Sequence, residues 1–299
     1  MNDDTNLEYS KVCYNFANFI SMEYNTMDKE HYLISTLSSK YIGDDAAVIG
    51  DTLYSTDAFF EDVHFKRAWM TMAQIGRKAM LVNLSDAIAM NAKPQFALLT
   101  VSLPKELSHE DIDALIQSME STANEYGCEI IGGDTVGGEK LHISITIISK
   151  SDDPLLRKGL EEGDLLAFTG TLGESKRDLD ALLNGEKIEK NSRFFEPTLR
   201  ADFIEKARPF LKIGMDISDG LYCDTNKLLD INKYGFKILK TINDEIGFSG
   251  EEYEMLIGFK KEELEAIKGI ANELNLPLTV FAEVTGNKER FPCKSHHFM

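Results

Sequence analysis

Five times in this chain an apolar run breaks off at a short acidic turn: Gly43-Asp44-Asp45, Ser55-Thr56-Asp57, Asn83-Leu84-Ser85-Asp86, Gly132-Gly133-Asp134-Thr135 and Asp216-Ile217-Ser218-Asp219-Gly220. Most of these turns lie beside glycine or at the end of an apolar segment, where the backbone can bend and present a charge that is costly to bury. A fold built from the intervening runs must leave the acidic ends in water or gather them. Gathered carboxylates without a Cys/His cluster are hard oxygen ligands, suited to magnesium or manganese rather than structural zinc. Taken singly, each acid has a plainer reading. Asp45, Asp86 or Asp219 can cap a helix or order a turn, Asp44 can face solvent, and Asp57 or Asp134 can hold a structural hydrogen bond. Spacing alone leaves both readings open.

The runs themselves alternate between two periods. "DTLYSTDAFF" reads as a strand that ends at, or passes beside, a polar site. In the following stretch Trp69, Met72, Ala73, Gly76, Ala79, Met80, Asn83, Leu84, Ala87 and Ile88 recur at helical spacing. That predicts a long helix with small residues for close packing, carrying Asn83 and Asp86 toward one place and stopped by Pro94. "QFALLTVSL" reads as a strand. Ser108 reads as an N-cap, with Ile112, Leu115, Ile116, Met119, Ala123 and Tyr126 as the stripe of a helix that Gly127 closes. "GGDTVGG" reads as a loop, and Leu141, Ile143, Ile145 and Ile147 as one face of a strand. A second cycle of strands and helices begins after "SKSDDPLLRKG", residues 149–159. The pattern favours an α/β or α+β body.

A chain of 299 residues with 43% hydrophobic composition has material for two domains, or one large one. The expected division is an N-terminal extension over 1–26, a first domain over 27–149 and a second over 150–299. With 32 Lys and Arg against 50 Asp and Glu the net charge is −18, which disfavours nucleic acid and anionic membranes as partners. It does not disfavour a phosphate substrate if cations stand between. Cys13, Cys128, Cys223 and Cys293 are widely spaced and read as reduced thiols. The acidic beginning lacks the pattern of a signal peptide, and no run reaches membrane length, so a cytoplasmic protein is expected. "GGDTVGG" and "TGTLG" can turn backbone N–H groups toward an anion, yet neither a GxxxxGK[ST] loop nor a GxGxxG fingerprint is present.

The segments "GDDAAVI", "STDAFFEDVHF", "LVNLSDAIAMNAKP", "IGGDTVGG", "LLRKGLEEGDLLAFTGTLG", "MDISDGL" and "SGEEYEML" follow one another in an order that resembles the thiamine-monophosphate kinase family, within the aminoimidazole-ribonucleotide-synthetase-like superfamily. The resemblance covers roughly residues 27–258. It implies a two-domain α/β kinase fold, a homodimer, several Mg²⁺ ions, and ATP as donor of a phosphoryl group to thiamine monophosphate. Carried over residue by residue, it implies metal ligands at Asp44, Ser55, Thr56, Asp57, Asp86, Asp134, Asp216 and Asp219, with Asp45 less directly involved. Asn83 would orient the group or touch nucleotide. Gly133, Asp134, Arg157 and Ser218 would meet the nucleotide, and Asp86, Arg157 and Asp216 would act in the transfer. His64 and Glu251 would face the acceptor. The chain departs from the family where Ser249 and Glu252 replace a glycine and an aspartate, and where Ser295 stands in place of an aromatic ring. Another ATP-using member of the superfamily, or a silent nucleotide-binding scaffold, is the competing expectation.

Overall fold

In the computed structural model, which describes residues 29–293, the chain divides into two units: Met1–Lys40 with Ser295–Met299, and Tyr41–Lys294. The described part of the first carries helix α1 (Lys29–Ser35). Ser295 and the whole of the expected N-terminal extension, residues 1–26 with Cys13, lie outside the described residues. The second unit runs β1 (Ala47–Ile49), β2 (Thr52–Phe60), α2 (Met72–Ala89), β3 (Lys93–Pro104), α3 (His109–Glu125), β4 (Glu129–Gly138), β5 (His142–Lys150), β6 (Leu165–Thr169), α4 (Glu174–Leu183), α5 (Ala201–Ala207), β7 (Ile213–Asp216), α6 (Leu221–Asn232), β8 (Gly235–Ile238), α7 (Asp244–Gly247), β9 (Met255–Phe259), α8 (Leu264–Glu273) and β10 (Leu278–Thr285).

Residues 47–150 build one sheet in the order β1-β2-β5-β3-β4, with β3 and β4 parallel and the other neighbours antiparallel. The alternation in β5 does what its period demands. Ile143, Ile145 and Ile147 are fully buried, each contributing about 1.5–3 kcal/mol. They share a core with Leu53 and Phe59 of β2, Ala97, Leu99 and Val101 of β3, and Ile75, Ala79 and Leu84 of α2. Leu115, Met119 and Ala123 bring α3 into the same core. Both helices begin on capping boxes, Thr71 with Gln74 and Ser108 with Asp111. Gly76 lets them approach closely, because a Cβ there would stand 2.4 Å from the Leu115 carbonyl oxygen.

Two local expectations are corrected. The stretch containing "GGDTVGG" is a strand, not a loop: β4 pairs with β3 from Phe96↔Glu129 to Pro104↔Gly138. Gly133 has φ +151°, and a Cβ on it would lie 1.7 Å from the Leu99 carbonyl oxygen. The glycine here serves close strand approach rather than a turn. The helix stop is also earlier than Pro94. α2 ends at Ala89, Asn91 turns the chain at φ 54°, and Pro94 already pairs with Ser149 inside β3, next to a bulge.

Residues 165–285 build a second sheet, β7-β9-β6-β10-β8, antiparallel throughout. β6 and β9 are buried along their whole lengths; β9 is apolar throughout and β6 up to Thr169, whose hydroxyl donates to Glu254. The reduced-thiol expectation fails for two cysteines. Cys223 on α6 and Cys293 form a disulfide across a separation of 70 residues. Among the described residues Cys128 is the free thiol, and burial pushes its pKa up to about 11.

Candidate functional site

Helix α2 is the spine of the site. Asn83 is buried, accepts the Asp57 N–H on Oδ1 at 2.9 Å and donates through Nδ2 to the Ala79 carbonyl at 2.9 Å. It pins the middle of β2 to the helix at the residue where the strand carries its acid. The strand thus passes beside the site rather than ending there. Ser85, two residues along, donates its hydroxyl to Asp216 Oδ2 at 2.5 Å. Asp86 comes next. Asp45 arrives from the turn before β1 and Asp216 from the end of β7.

The carboxylate oxygens of Asp45, Asp86 and Asp216 lie within 4.8 Å of one another. Water is largely excluded: the Asp45 side chain is 1% exposed and Asp216 is 3% exposed. Burial first, then the charges of Asp57, Asp216 and Asp45, raise the Asp86 carboxyl well above the usual range. Burial and then Asp45 push Asp216 up to about 8. Burial also raises Asp45, against the pull of Arg157, with which it forms an ion pair. Such a cluster is a place where charge is missing. Asp45 Oδ2 is buried without a hydrogen-bond partner, which a cation would provide.

The other residues named from sequence are distributed around this trio. Asp44 stays outside it, accepting the Arg157 backbone N–H on Oδ1 at 2.7 Å. Asp57 is close enough to act on both Asp86 and Asp216. Ser55 is buried, while the Thr56 hydroxyl accepts from Thr146 at 3.2 Å on the opposite face of the sheet. Asp134 is not gathered. Its strand is the far edge, three positions from β2, a span of roughly 14 Å; its Oδ1 accepts the Thr135 N–H at 2.9 Å. Asp219 pairs with Lys227, and its N–H donates to buried Asp224 at 3.0 Å. The Ser218 carbonyl accepts the Glu251 N–H at 2.7 Å. His64 accepts the Phe60 N–H on Nδ1 at 3.0 Å.

Several contributors were not singled out from sequence. Ser85 sits in a helix and signals nothing alone. Tyr253 places its phenol near Glu251, Asp57, Asp216 and Asp86; burial first and then those charges hold it protonated. Glu252 and Glu254, both fully buried, anchor the loop that bears it. Glu252 Oε1 accepts from the Gly173 and Ser175 N–H groups at 2.7 and 3.2 Å and from the Ser249 hydroxyl at 2.5 Å. Of the backbone donors of "TGTLG", the Gly173 N–H is therefore taken by this chain's own carboxylate, and the Gly170 N–H by the Pro277 carbonyl. Glu254 accepts from Thr169, Arg193 and Arg200.

Known proteins match this arrangement. Residues 43–150 fit the family model of the AIR synthase related protein, N-terminal domain. The thiamine-monophosphate kinase of Aquifex aeolicus (strain VF5) is 33% identical over 258 residues, covering 76% of this chain and 83% of that protein. The thiamine-monophosphate kinase of Bacillus subtilis (strain 168) is 29% identical over 269 residues, covering 80% and 83%. The solved structure of AaThiL complexed with AMPPCP and TMP superposes with a TM-score of 0.77 at 28% identity, covering 89% of this chain and 95% of that one. With a third of its residues shared over three quarters of its length, and the fold shared as well, this chain belongs to the thiamine-monophosphate kinase family.

Proposed function

We propose that this chain is a kinase that transfers the γ-phosphoryl group of ATP to the phosphate of thiamine monophosphate, giving thiamine diphosphate and ADP. The observation that carries this reading is the convergence of Asp45, Asp86 and Asp216 from three distant segments in a chain so similar to thiamine-monophosphate kinases. The structural relative was solved with AMPPCP and TMP, a donor analogue and an acceptor of the kind proposed here.

Divalent cations fit the cluster by its donor chemistry: carboxylate oxygens alone, one of them buried and unpartnered. Asp45, Asp86 and Asp216 would hold the ion, with Asp57 flanking, and we propose Mg²⁺. Asp44, Asp134 and Asp219 remain proposed ligands for further ions. When bound, the cations neutralise and orient phosphate oxygens that otherwise repel.

The chain's own groups do the rest. Arg157, tied to Asp45 by its guanidinium and to Asp44 through its N–H, holds a positive charge beside the cluster for the nucleotide phosphates. The acceptor phosphate is already an oxyanion, so no side chain has to remove a proton from it. His64 suits that requirement: its Nδ1 accepts from Phe60, so the neutral ring carries its proton on Nε2 and that nitrogen is a donor rather than a base. The buried setting of the carboxylates strengthens each of these interactions relative to water.

We also propose a homodimer through the first sheet. Opposite its core face, Tyr54, Ile148 and Phe96 form one row across β2, β5 and β3, and Thr56, Thr146 and Leu98 the next. Tyr54, Phe96 and Leu98 are 41%, 40% and 38% exposed, an apolar face that a second copy would cover. In this reading residues 27–149 form the metal-binding and dimerising domain and 150–299 the domain that completes the site. Among the described residues no helix is long and apolar enough to cross a membrane; the cytoplasm, where ATP is made available, is the proposed compartment.

The deciding experiment is turnover of ATP and thiamine monophosphate over a range of Mg²⁺, with mass-spectrometric identification of both products. Equal amounts of ADP and thiamine diphosphate are expected. Folded protein that makes neither refutes the proposal.

A further inference from the structure

Lys78 is a deeply placed charge that the reaction as described does not use. It lies on α2, two turns before Asp86, with its side chain 1% exposed. Its Nζ stands 2.6 Å from Glu251 Oε2, 4.0 Å from the ring centroid of Phe194 and 5.8 Å from that of Phe59. Lysines are almost never buried this fully, and one carboxylate with two ring faces offsets the lost hydration only in part. Packing does not call for it, since Ile75, Ala79 and Leu84 fill the same helix with apolar groups.

Its partner is held at a cost as well. Glu251 and Tyr253 both have φ 52°, the left-handed region that a non-glycine residue adopts only when its surroundings impose it. The surroundings do impose it. The N–H groups of Glu251 and Tyr253 are taken by the Ser218 and Ile217 carbonyls at 2.7 and 2.9 Å, and Glu252 and Glu254 are locked into the buried networks on either side. The loop thus buries its even-numbered acids and leaves Glu251, 28% exposed, beside the phenol that faces the carboxylate trio. Lys78 fixes one oxygen of Glu251 from behind. The other, Oε1, makes no hydrogen bond among the described residues.

We propose that Lys78 is a positioning residue: it holds the Glu251 carboxylate at the acceptor end of the cleft and so sets affinity for a cationic heteroaromatic phosphate, not for the nucleotide. This rests on the functional reading of Glu251 given above. The acceptor carries a positive ring and amino N–H groups, which a fixed carboxylate oxygen recognises; ATP carries neither positive ring nor need of that acid.

The test is steady-state kinetics of Lys78→Met, which keeps the packing against Phe59 and Phe194 while deleting the charge, together with Glu251→Gln and the double variant. The KM for thiamine monophosphate should rise about 10- to 100-fold in either single variant, the range carried by one charged hydrogen bond. The KM for ATP should stay within about threefold, and the double variant should be no worse than the singles because they remove one interaction. Equal rises in both KM values, or an unchanged acceptor KM in Glu251→Gln, overturn the inference. If Lys78→Met does not fold, Lys78→Arg, which keeps the charge but moves it, takes its place, and a wild-type acceptor KM in a folded Lys78 variant overturns the inference. Wild-type protein without turnover would overturn the functional reading and this inference together; active wild type with unselective variants overturns this one alone.

Discussion

Replacing Asp86 by asparagine should move stability and activity in opposite directions. Its carboxylate lies up to 4.8 Å from those of Asp45 and Asp216. At an effective dielectric of ~20, two like charges at that distance repel by about 3–4 kcal/mol. Near pH 7 Asp216, raised to about 8, is mostly protonated, and Arg157 offsets part of the Asp45 charge. Asp86 itself is raised well above the usual range, so the folded protein relieves this repulsion by taking up a proton that the unfolded chain does not need; the neutral isostere removes that cost and should stabilise the metal-free protein by about 1–3 kcal/mol. In a chain of this size that is a rise in Tm of roughly 2–5 °C. The kinase rate should meanwhile fall by at least about 100-fold, because a group that meets developing charge is gone. Calorimetry in EDTA and in Mg²⁺, beside the product assay, reads both effects. A variant that is less stable in EDTA, or one that keeps a normal rate and Mg²⁺ requirement, refutes the reasoning.

Further consequences are as direct. Burial and then the Asp45 charge lift the Asp216 carboxyl to about 8, against ~3.9 unfolded, so the folded state binds the extra proton between those values. Metal-free stability should therefore fall as pH rises from about 4 to about 8, and the Tm gain from Mg²⁺, which needs ionised carboxylates, should be larger at pH 8.5 than at pH 6; equal gains contradict the clustering. Gly133→Ala would put a Cβ 1.7 Å from the Leu99 carbonyl oxygen, and we expect a loss of about 3 kcal/mol or more by denaturant unfolding as β4 is forced off β3. Cys293→Ser opens a disulfide spanning 70 residues; it should cost up to ~4 kcal/mol in oxidising buffer and nothing in dithiothreitol, where an unchanged difference would point to another cause.

What was legible in the residues follows the physics of short range. The two-residue period of Leu141–Ile147, the Ser108 cap and the Gly127 stop each depend on neighbours a few positions away, and each is present in the structure. The acidic turns were legible as carboxylates needing a partner, and three of them converge. Which three was not legible. Asp44 and Asp45 are adjacent, and only the position of Arg157, 112 residues away, separates their surroundings. β4 reads as a loop from its residues because glycine signals a turn unless another backbone lies 1.7 Å from where its Cβ would be. Lys78 lies among apolar helix positions, and its partner is 173 residues distant. The disulfide escaped for the same reason: no local pattern distinguishes two distant cysteines that meet from two that do not.

The central claim is that Asp45, Asp86 and Asp216 together hold a divalent cation facing the nucleotide. Crystals grown with Mn²⁺ and a non-hydrolysable ATP analogue test it most directly, because manganese reveals itself by anomalous scattering. A peak about 2.1 Å from oxygens of all three carboxylates, also touching a phosphate oxygen, is the expected result. Manganese bound elsewhere, with these three acids left hydrogen-bonded only to protein, would contradict it.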